Sequence, residues 1–406
     1  MDSALLYALR DQAGVPSHPV IFLILGVLTF ALHIAAVQMM LGASALTLWG
    51  ALSRNEWRRR LAQSMLQVAK VMVSVAIVVG VAPLLFVQVI YDPFWYTANL
   101  LSAWWVIGFI GILLVAYTLM YVFFWRNEQL ASRKTSCPGS MVLSLVLMLV
   151  VGFIMHVLSQ QMLFPEQWLE WYAPGGQLDT SGTGIHAFDP WRFVFFISLS
   201  APVTGALLLA YQRYLRPRSE FDRAYLDWVG VFGYRMINIG GVVSLLIGLV
   251  WMLRLPDSHT AFTATPWPYL VVATLLAFVA FANAMRSRID SAWAYSVLGV
   301  GTVALIIVAT AREALRWGVI HGVHGYNALD YKINMDWYST LTFFITFAVL
   351  GGSVLAYYLT VAWRSGQSNG QYVASATVDR MGSIAIGILV LWIAHYFVLG
   401  FYWWAL

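Results

Sequence analysis

The sequence predicts an all-α fold, a polytopic transmembrane helical bundle with about ten spans. Of its 406 residues, 61% are hydrophobic and only 10% are charged, whereas a soluble domain has about 25% charged residues. Apolar runs of about 20 residues, long enough to cross a hydrocarbon core of about 30 Å, follow one another with short loops between them. We therefore expect residues 1–406 to form a single integral membrane domain.

The ends of the spans are marked by charged and turn-forming residues. The first run begins at Pro19, a residue type favoured at the first position of a helix, and His18 precedes it. Pro83 and Pro202 lie inside the second and fifth runs, where each predicts a kink. In chain order, the predicted spans cover residues 19–48, 65–91, 101–125, 140–164, 192–215, 226–253, 267–285, 293–312, 338–363 and 382–405.

The basic residues indicate which way the spans run. Most of the 23 lysines and arginines follow the odd-numbered spans, so the positive-inside rule puts both termini outside. In a bacterial inner (cytoplasmic) membrane, which we expect here, that side is the periplasm. The periplasmic loops would cover residues 91–100, 165–191, 255–266 and 317–337. Tryptophan is concentrated on this side beyond what a generic aromatic belt requires, which indicates a docking partner.

Composition also narrows the functional classes. The net charge of +5 does not indicate nucleic-acid binding, because the basic residues form short clusters between apolar runs. The single cysteine, Cys137, excludes an internal disulfide framework and a covalent c-type haem, which needs a Cys-x-x-Cys-His sequence. Any haem bound to this chain would be a b-type haem, held by coordination alone.

Four histidines at or inside the spans are the main candidates for function. An imidazole in hydrocarbon is costly unless it is a ligand, a relay or a hydrogen-bonded residue. His33 lies near the predicted midplane, and His18 is at the outer edge of the same span. His156 and His395 are predicted to lie at the same depth in the fourth and tenth spans, which favours a pair of axial haem ligands on facing helices. The alternative for each is a buried, hydrogen-bonded histidine.

Two further clusters carry charge into or near the membrane. Arg235, about nine residues into the sixth span, could pair with a haem propionate, and Met236 beside it offers a thioether ligand. Arg312 and Glu313, with Arg316, end the predicted eighth span, where a solvated anchor is the alternative to a role in binding haem. His321 and His324, near His186 and His259 on the same side, leave a surface metal or cytochrome contact open.

Three segments carry a resemblance to a known family. Residues 80–96, GVAPLLFVQVIYDPFWY, resemble the end of the second span of subunit I of cytochrome bd quinol oxidases. Residues 189–206, DPWRFVFFISLSAPVTGA, and 307–317, IVATAREALRW, are similar to that family's fifth span and the end of its eighth. His18 stands where the family has an axial histidine before its first span. The resemblance follows the order of about nine of the ten spans.

The sequence also departs from that family. Phe196 stands at the position of the histidine that binds the low-spin haem, and the eighth span lacks the family's glutamate ligand unless Glu313 replaces it from the next turn. The quinol-binding loop is reduced to residues 255–266, and the tenth span is additional. The resemblance therefore implies a diverged member of the bd superfamily without the family's quinol site.

These observations lead to three hypotheses. The first is a haem-bearing electron-transfer subunit of a respiratory oxidoreductase, paired with a related bd-like subunit and with other subunits of the complex, and exchanging electrons with a periplasmic c-type cytochrome. The second is a haem-free membrane scaffold for redox partners. The third is a transporter, which the scarcity of carboxylates inside the spans disfavours.

Overall fold

A computed structural model describes residues 3–132, 134–288 and 290–405 of the chain. Within these ranges the structure is all-α, and its ten longest apolar helical segments can each cross a membrane. The predicted fold class is confirmed. The segments, numbered as spans 1 to 10, are Pro19–Ala51, Glu56–Ile90, Ala103–Arg126, Pro138–Gln161, Pro190–Leu215, Arg223–Leu253, Trp267–Ala284, Trp293–Val323, Trp337–Gly366 and Ala376–Ala405.

Two spans differ clearly from their predicted bounds. Span 2 starts at Glu56 because Asn55 caps it, with the Asn55 side-chain oxygen accepting from the Arg58 amide at 3.1 Å. Span 8 continues as far as Val323, ending in a π-helical segment, Gly318–Val323. The charged residues that were expected to end this helix are instead inside it.

Span 5 is interrupted, in agreement with the kink predicted at Pro202. Its two helices are Pro190–Ser198 and Ser200–Leu215, and the break falls at Leu199. The cause is that the Pro202 nitrogen carries no hydrogen and cannot donate to the carbonyl one turn earlier. Span 2, by contrast, remains a single helix through Pro83.

An even number of spans places both chain termini on one side of the bundle, which we call the terminal side. A short helix, Asp92–Leu101, covers this side between spans 2 and 3. The N-terminal segment is attached by Arg10, whose guanidinium lies 4.2 Å from the ring centroids of Tyr326 and Tyr331. Tyr331 in turn donates to the Asp92 carboxylate. The loops of the terminal side therefore form a connected layer over the bundle.

Helix pairing determines where the core lies. Spans 1 and 2 form the most extensive helix pair, followed by spans 5 and 6 and by spans 3 and 4. Spans 5 and 6 touch at Gly205 and Gly233, where a Cβ on Gly205 would lie 2.5 Å from the Gly233 carbonyl oxygen. Only glycine permits this approach. Spans 9 and 10 pack chiefly against each other and leave most of their side chains exposed.

Candidate functional site

A cavity of about 480 Å³ is lined by spans 1, 2, 3, 4, 5 and 8, and it opens to the outside of the bundle, because the exposed side chains of Val81 and Ile110 belong to its wall. Its volume falls within the roughly 300–1,000 Å³ that is usual for ligand pockets. Most of its wall is apolar, with rings such as Phe22, Phe30 and Phe193. The charged groups gather toward the terminal side, whereas His33 and Gln38 lie deeper in the cavity wall.

The charged end contains three arginines and one glutamate. Glu313 accepts from Arg316 at 2.9 Å, while Arg312 lies 3.8 Å from the same carboxylate oxygen. Arg192 donates to the side-chain oxygen of Gln160 at 3.0 Å and is only 4% exposed. The four ionised groups leave a net charge of +2 at this end. A buried surplus of positive charge is costly unless an anion compensates for it.

Tyr91, just past the end of span 2, completes the environment of Glu313. Its hydroxyl donates to the second carboxylate oxygen of Glu313 at 2.9 Å. Burial and the neighbouring carboxylate raise the pKa of Tyr91, so the phenol keeps its proton and remains a donor. Glu313 is therefore fixed from two directions, by Arg316 and by Tyr91.

His33 on span 1 faces the cavity with one ring nitrogen committed. Its Nδ1 lies 2.9 Å from the Ala76 carbonyl oxygen. A carbonyl only accepts, so Nδ1 carries the proton and Nε2 keeps its lone pair. Gly80 makes room for the ring, because a Cβ on Gly80 would lie 2.7 Å from His33 Nδ1. The imidazole is thus held in one tautomer by the backbone of span 2.

His156 on span 4 also lines the cavity, but its hydrogen bonding is different. Its Nε2 accepts from the backbone N–H of Asp189 at 2.9 Å, so the lone pair of that nitrogen is already used. The ring packs between Phe153 and Phe193. Of the two histidines in the cavity wall, only His33 has its lone-pair nitrogen unengaged.

Two polar atoms on the cavity wall have no hydrogen-bond partner among the described residues. They are the side-chain oxygen of Gln38, a residue only 1% exposed, and the hydroxyl of Ser159. The amide nitrogen of Gln38 donates to the Phe196 carbonyl at 2.6 Å, which fixes the side chain. Buried polar atoms are nearly always partnered, so these two are exceptions that a polar group in the cavity would satisfy.

The structure does not bring His156 and His395 together, although the sequence predicted them as a ligand pair. His395 donates to or accepts from the Tyr338 hydroxyl at 2.9 Å, between spans 9 and 10. Spans 9 and 10 pack against each other, whereas span 4 packs chiefly against span 3. Equal depth along two helices did not make those helices neighbours.

Three other predicted residues also lie apart from the cavity wall. His18 is exposed and caps span 1, with Nδ1 accepting from the Val20 amide at 3.3 Å. Arg235 is exposed on the outside of span 6. Met236 packs against the apolar cluster that includes Met65 and Met120, on the side away from the termini. Of the predicted set, the cavity brings together His33, His156, Arg312 and Glu313.

Sequence reasoning did not assign a role in the site to Arg192, Tyr91 or Gln38. By residue type, Arg192 is only one of the basic residues near the outer ends of the spans. Its position three residues after Asp189, the cap of span 5, was a usable signal, because an arginine in the first turn of an apolar helix must find a buried partner or solvent. Gln38 gave a similar signal as an amide in the middle of span 1.

The histidines of the terminal side do not form a metal site. Within residues 3–132, 134–288 and 290–405, no group of three or more His, Cys, Asp or Glu side chains could hold a metal ion. His324 lies 3.6 Å from the Glu166 carboxylate, and burial lowers the pKa of this histidine. His321 is exposed and lies beside Trp317. These histidines belong to the packing of the loops.

Fold and site together define a multi-pass membrane protein with an apolar cavity that is positively charged at its terminal end. A molecule that fits this cavity would have a flat or extended apolar body, an anionic end directed at the arginines, and a hydrogen-bond donor or metal ion for the lone pair of His33. Comparison with protein-family models and with curated proteins finds no match for this chain.

Proposed function

We propose that this protein is a haem-bearing membrane subunit of a bacterial respiratory oxidoreductase related to cytochrome bd, with a b-type haem in the intramembrane cavity. The proposal depends on His33, whose Nε2 has no hydrogen-bond partner among the described residues and which lines an apolar cavity whose terminal end holds three arginines. Bound haem would supply an iron that cycles between ferric and ferrous states and so passes single electrons.

His33 is the proposed axial ligand. A histidine that ligates a metal usually donates its other N–H to a backbone carbonyl or carboxylate, which sets the tautomer and the orientation of the ring. The bond from Nδ1 to the Ala76 carbonyl has this form. The proposal replaces the pair expected from the sequence, because His156 has its acceptor nitrogen engaged and His395 lies between spans 9 and 10.

The arginines are the proposed partners of the haem propionates. Two carboxylates would balance the +2 charge left by Arg192, Arg312, Arg316 and Glu313, and guanidinium groups bind carboxylates with two parallel hydrogen bonds. The Arg312 guanidinium also lies 4.1 Å from the ring centroid of Phe30, one helical turn from His33. The cavity thus offers a nitrogen ligand, an apolar body and a cationic end in one space.

Electron exchange with a periplasmic c-type cytochrome is the second part of the proposal. The exposed charges of the terminal side are mainly acidic, with only Arg254 and Lys332 as fully exposed basic residues among those described. Such a surface attracts a basic partner at long range. The exposed acids are Asp11, Glu166, Glu170, Asp179, Asp257, Asp330 and Asp336. The proposed orientation, with the terminal side in the periplasm of the inner membrane, rests on the positive-inside rule.

The test is an optical spectrum of the purified, full-length chain together with extraction of its haem. We expect a reduced-minus-oxidised signal of b-type haem in the wild type and its loss in His33→Ala. His395→Ala is the matched control and should keep the signal. Exogenous imidazole should restore haem binding to His33→Gly, which separates lost ligation from misfolding. A wild-type chain that folds without haem, or an unchanged spectrum in His33→Ala, would overturn the proposal.

The haem-free scaffold is the second candidate. One observation favours it: Phe196 occupies the position at which the resembling family has a haem ligand, and its ring packs against Phe30 in the cavity wall. A scaffold would co-purify with cytochrome partners and show no haem of its own. The same spectrum of the isolated chain therefore distinguishes the two candidates.

A further inference from the structure

A second pocket, of about 370 Å³, opens on the terminal side and is separate from the intramembrane cavity except for one shared residue, Arg192. The loop before span 5 forms one wall. The end of span 6 and the loop after it form the other. Aromatic side chains, among them Phe164, Trp171 and Trp251, supply the apolar surface.

Trp251 provides the strongest indication of a ligand. It lines the pocket, is only 7% exposed, and its indole N–H has no acceptor among the described residues. An indole N–H is a donor and nothing else, so the atom that would satisfy it must be an acceptor. Tryptophan normally finds such a partner when buried.

The charges of the pocket favour an anion. Arg192 and Arg254 both line it, and the guanidinium of Arg192 lies 5.9 Å from the ring centroid of Trp251. Gln160 takes one of the five N–H groups of Arg192. The carboxylate in the wall, Asp189, is committed to capping span 5, where it accepts from the amides of Trp191 and Arg192 at 3.0 Å.

The two histidines in the pocket wall add no charge at neutral pH. Burial, with the nearby positive charges of Arg192 and His324, lowers the pKa of His259 to about 4. Burial also lowers the pKa of His186, whose ring stacks on Trp171 with 5.2 Å between centroids. The pocket is therefore aromatic, with a net positive charge from two arginines against one carboxylate.

We propose that this pocket binds a small carboxylate with a flat apolar body, its carboxylate received by the N–H of Trp251 and by Arg254 and Arg192. The aromatic side chains enclose the body of the ligand. A neutral molecule of the same shape lacks the charge that two guanidinium groups select. Arg192 is also a proposed partner of a haem propionate, so the proposal rests on the proposed function at this one residue. The test variants change Trp251 and Arg254, which line this pocket and not the intramembrane cavity, so that the two proposals can fail separately.

Benzoate is the probe, and benzamide is its neutral counterpart of the same shape. Isothermal titration of the purified full-length chain in detergent should show one saturable site for benzoate and at least tenfold weaker binding of benzamide. Trp251→Phe keeps an aromatic ring but removes the N–H, and it should weaken benzoate binding about tenfold or more, because the lost bond is to a charged acceptor. Trp337→Phe, at an exposed tryptophan that does not line this pocket, is the matched control and should bind like the wild type.

A second variant, Arg254→Gln, distinguishes a loss of binding from a loss of folding. Arg254 is exposed, so Arg254→Gln removes a charge without disturbing the core, and it should weaken benzoate binding and reduce its dependence on salt. Equal binding of benzoate and benzamide, no saturable binding of benzoate, or wild-type affinity in both Trp251→Phe and Arg254→Gln would overturn the proposal.

Discussion

Spans 1–8 and spans 9–10 differ in how much of their surface is buried against other spans. The most apolar windows of spans 1–8 are between 17% and 56% buried, whereas span 9 buries none of its window and span 10 only 6%. Six of the first eight spans line a cavity with charged groups, and the last two spans form a hairpin beside the bundle. Hydropathy alone does not separate the two regions, because span 10 is more apolar than span 8.

The difference shows why position along a helix is a poor guide to a membrane site. His156 and His395 were predicted to share a depth, yet one lies in a cavity wall and the other between two peripheral helices. His156 shares the cavity wall with buried ionisable side chains, whereas His395 does not line that cavity. Arg192, Arg312 and Arg316 gather in the first region, where they can be compensated.

The largest expected effect tests the close packing of the first region. Gly205→Leu should abolish the folded monomer, because even a Cβ at this position would lie 2.5 Å from the Gly233 carbonyl oxygen and neither helix backbone can move easily. Gly387→Leu in span 10, which has no neighbouring atom within 4 Å, should fold like the wild type. Size-exclusion chromatography in detergent measures both. A folded Gly205→Leu monomer would contradict the tight approach of spans 5 and 6.

The next effect concerns the buried charges. Glu313→Gln keeps an oxygen for Tyr91 but removes the carboxylate that contacts Arg312 and Arg316. It should destabilise the protein by about 3–5 kcal/mol, the usual cost of breaking a buried ion pair. The control is Asp336→Asn at the exposed cap of span 9, where asparagine caps equally well and the change should be small. Thermal unfolding in detergent compares them. Equal midpoints for the two variants would show that Glu313 does not balance the arginines.

Much of this fold was predictable, because each span must satisfy its backbone internally and therefore appears in the sequence as a continuous apolar run. The end of span 8 was not, since Arg312, Glu313 and Arg316 look like a solvated helix end until their partners on other spans are known. The cavity was only partly predictable. His33, Arg312 and Glu313 were identified by residue type, but which of them meet depends on helix packing, which one sequence does not contain.

The terminal layer of the first region should also respond to pH. The pKa of His259 is about 4 in the folded protein and about 6.5 in the unfolded chain, so between these values the unfolded state binds the extra proton and stability falls as pH falls. The full difference is at most about 3 kcal/mol, at 1.36 kcal/mol per pKa unit. Thermal midpoints measured from pH 7 to pH 4 should decline less steeply in His259→Gln. His321→Gln, at an exposed position, is the control. A slope unchanged in His259→Gln would contradict the assignment.

The smallest effect is expected in the peripheral hairpin. The hydrogen bond between Tyr338 and His395 joins spans 9 and 10 on a face that the first eight spans do not cover. Removing it with Tyr338→Phe should cost less than about 1 kcal/mol, since interhelical hydrogen bonds in membranes average about 0.6 kcal/mol. Thermal unfolding in detergent and haem content should both stay close to wild type. A large loss of either would mean that spans 9 and 10 support the cavity, and the division of the molecule into two regions would then fail.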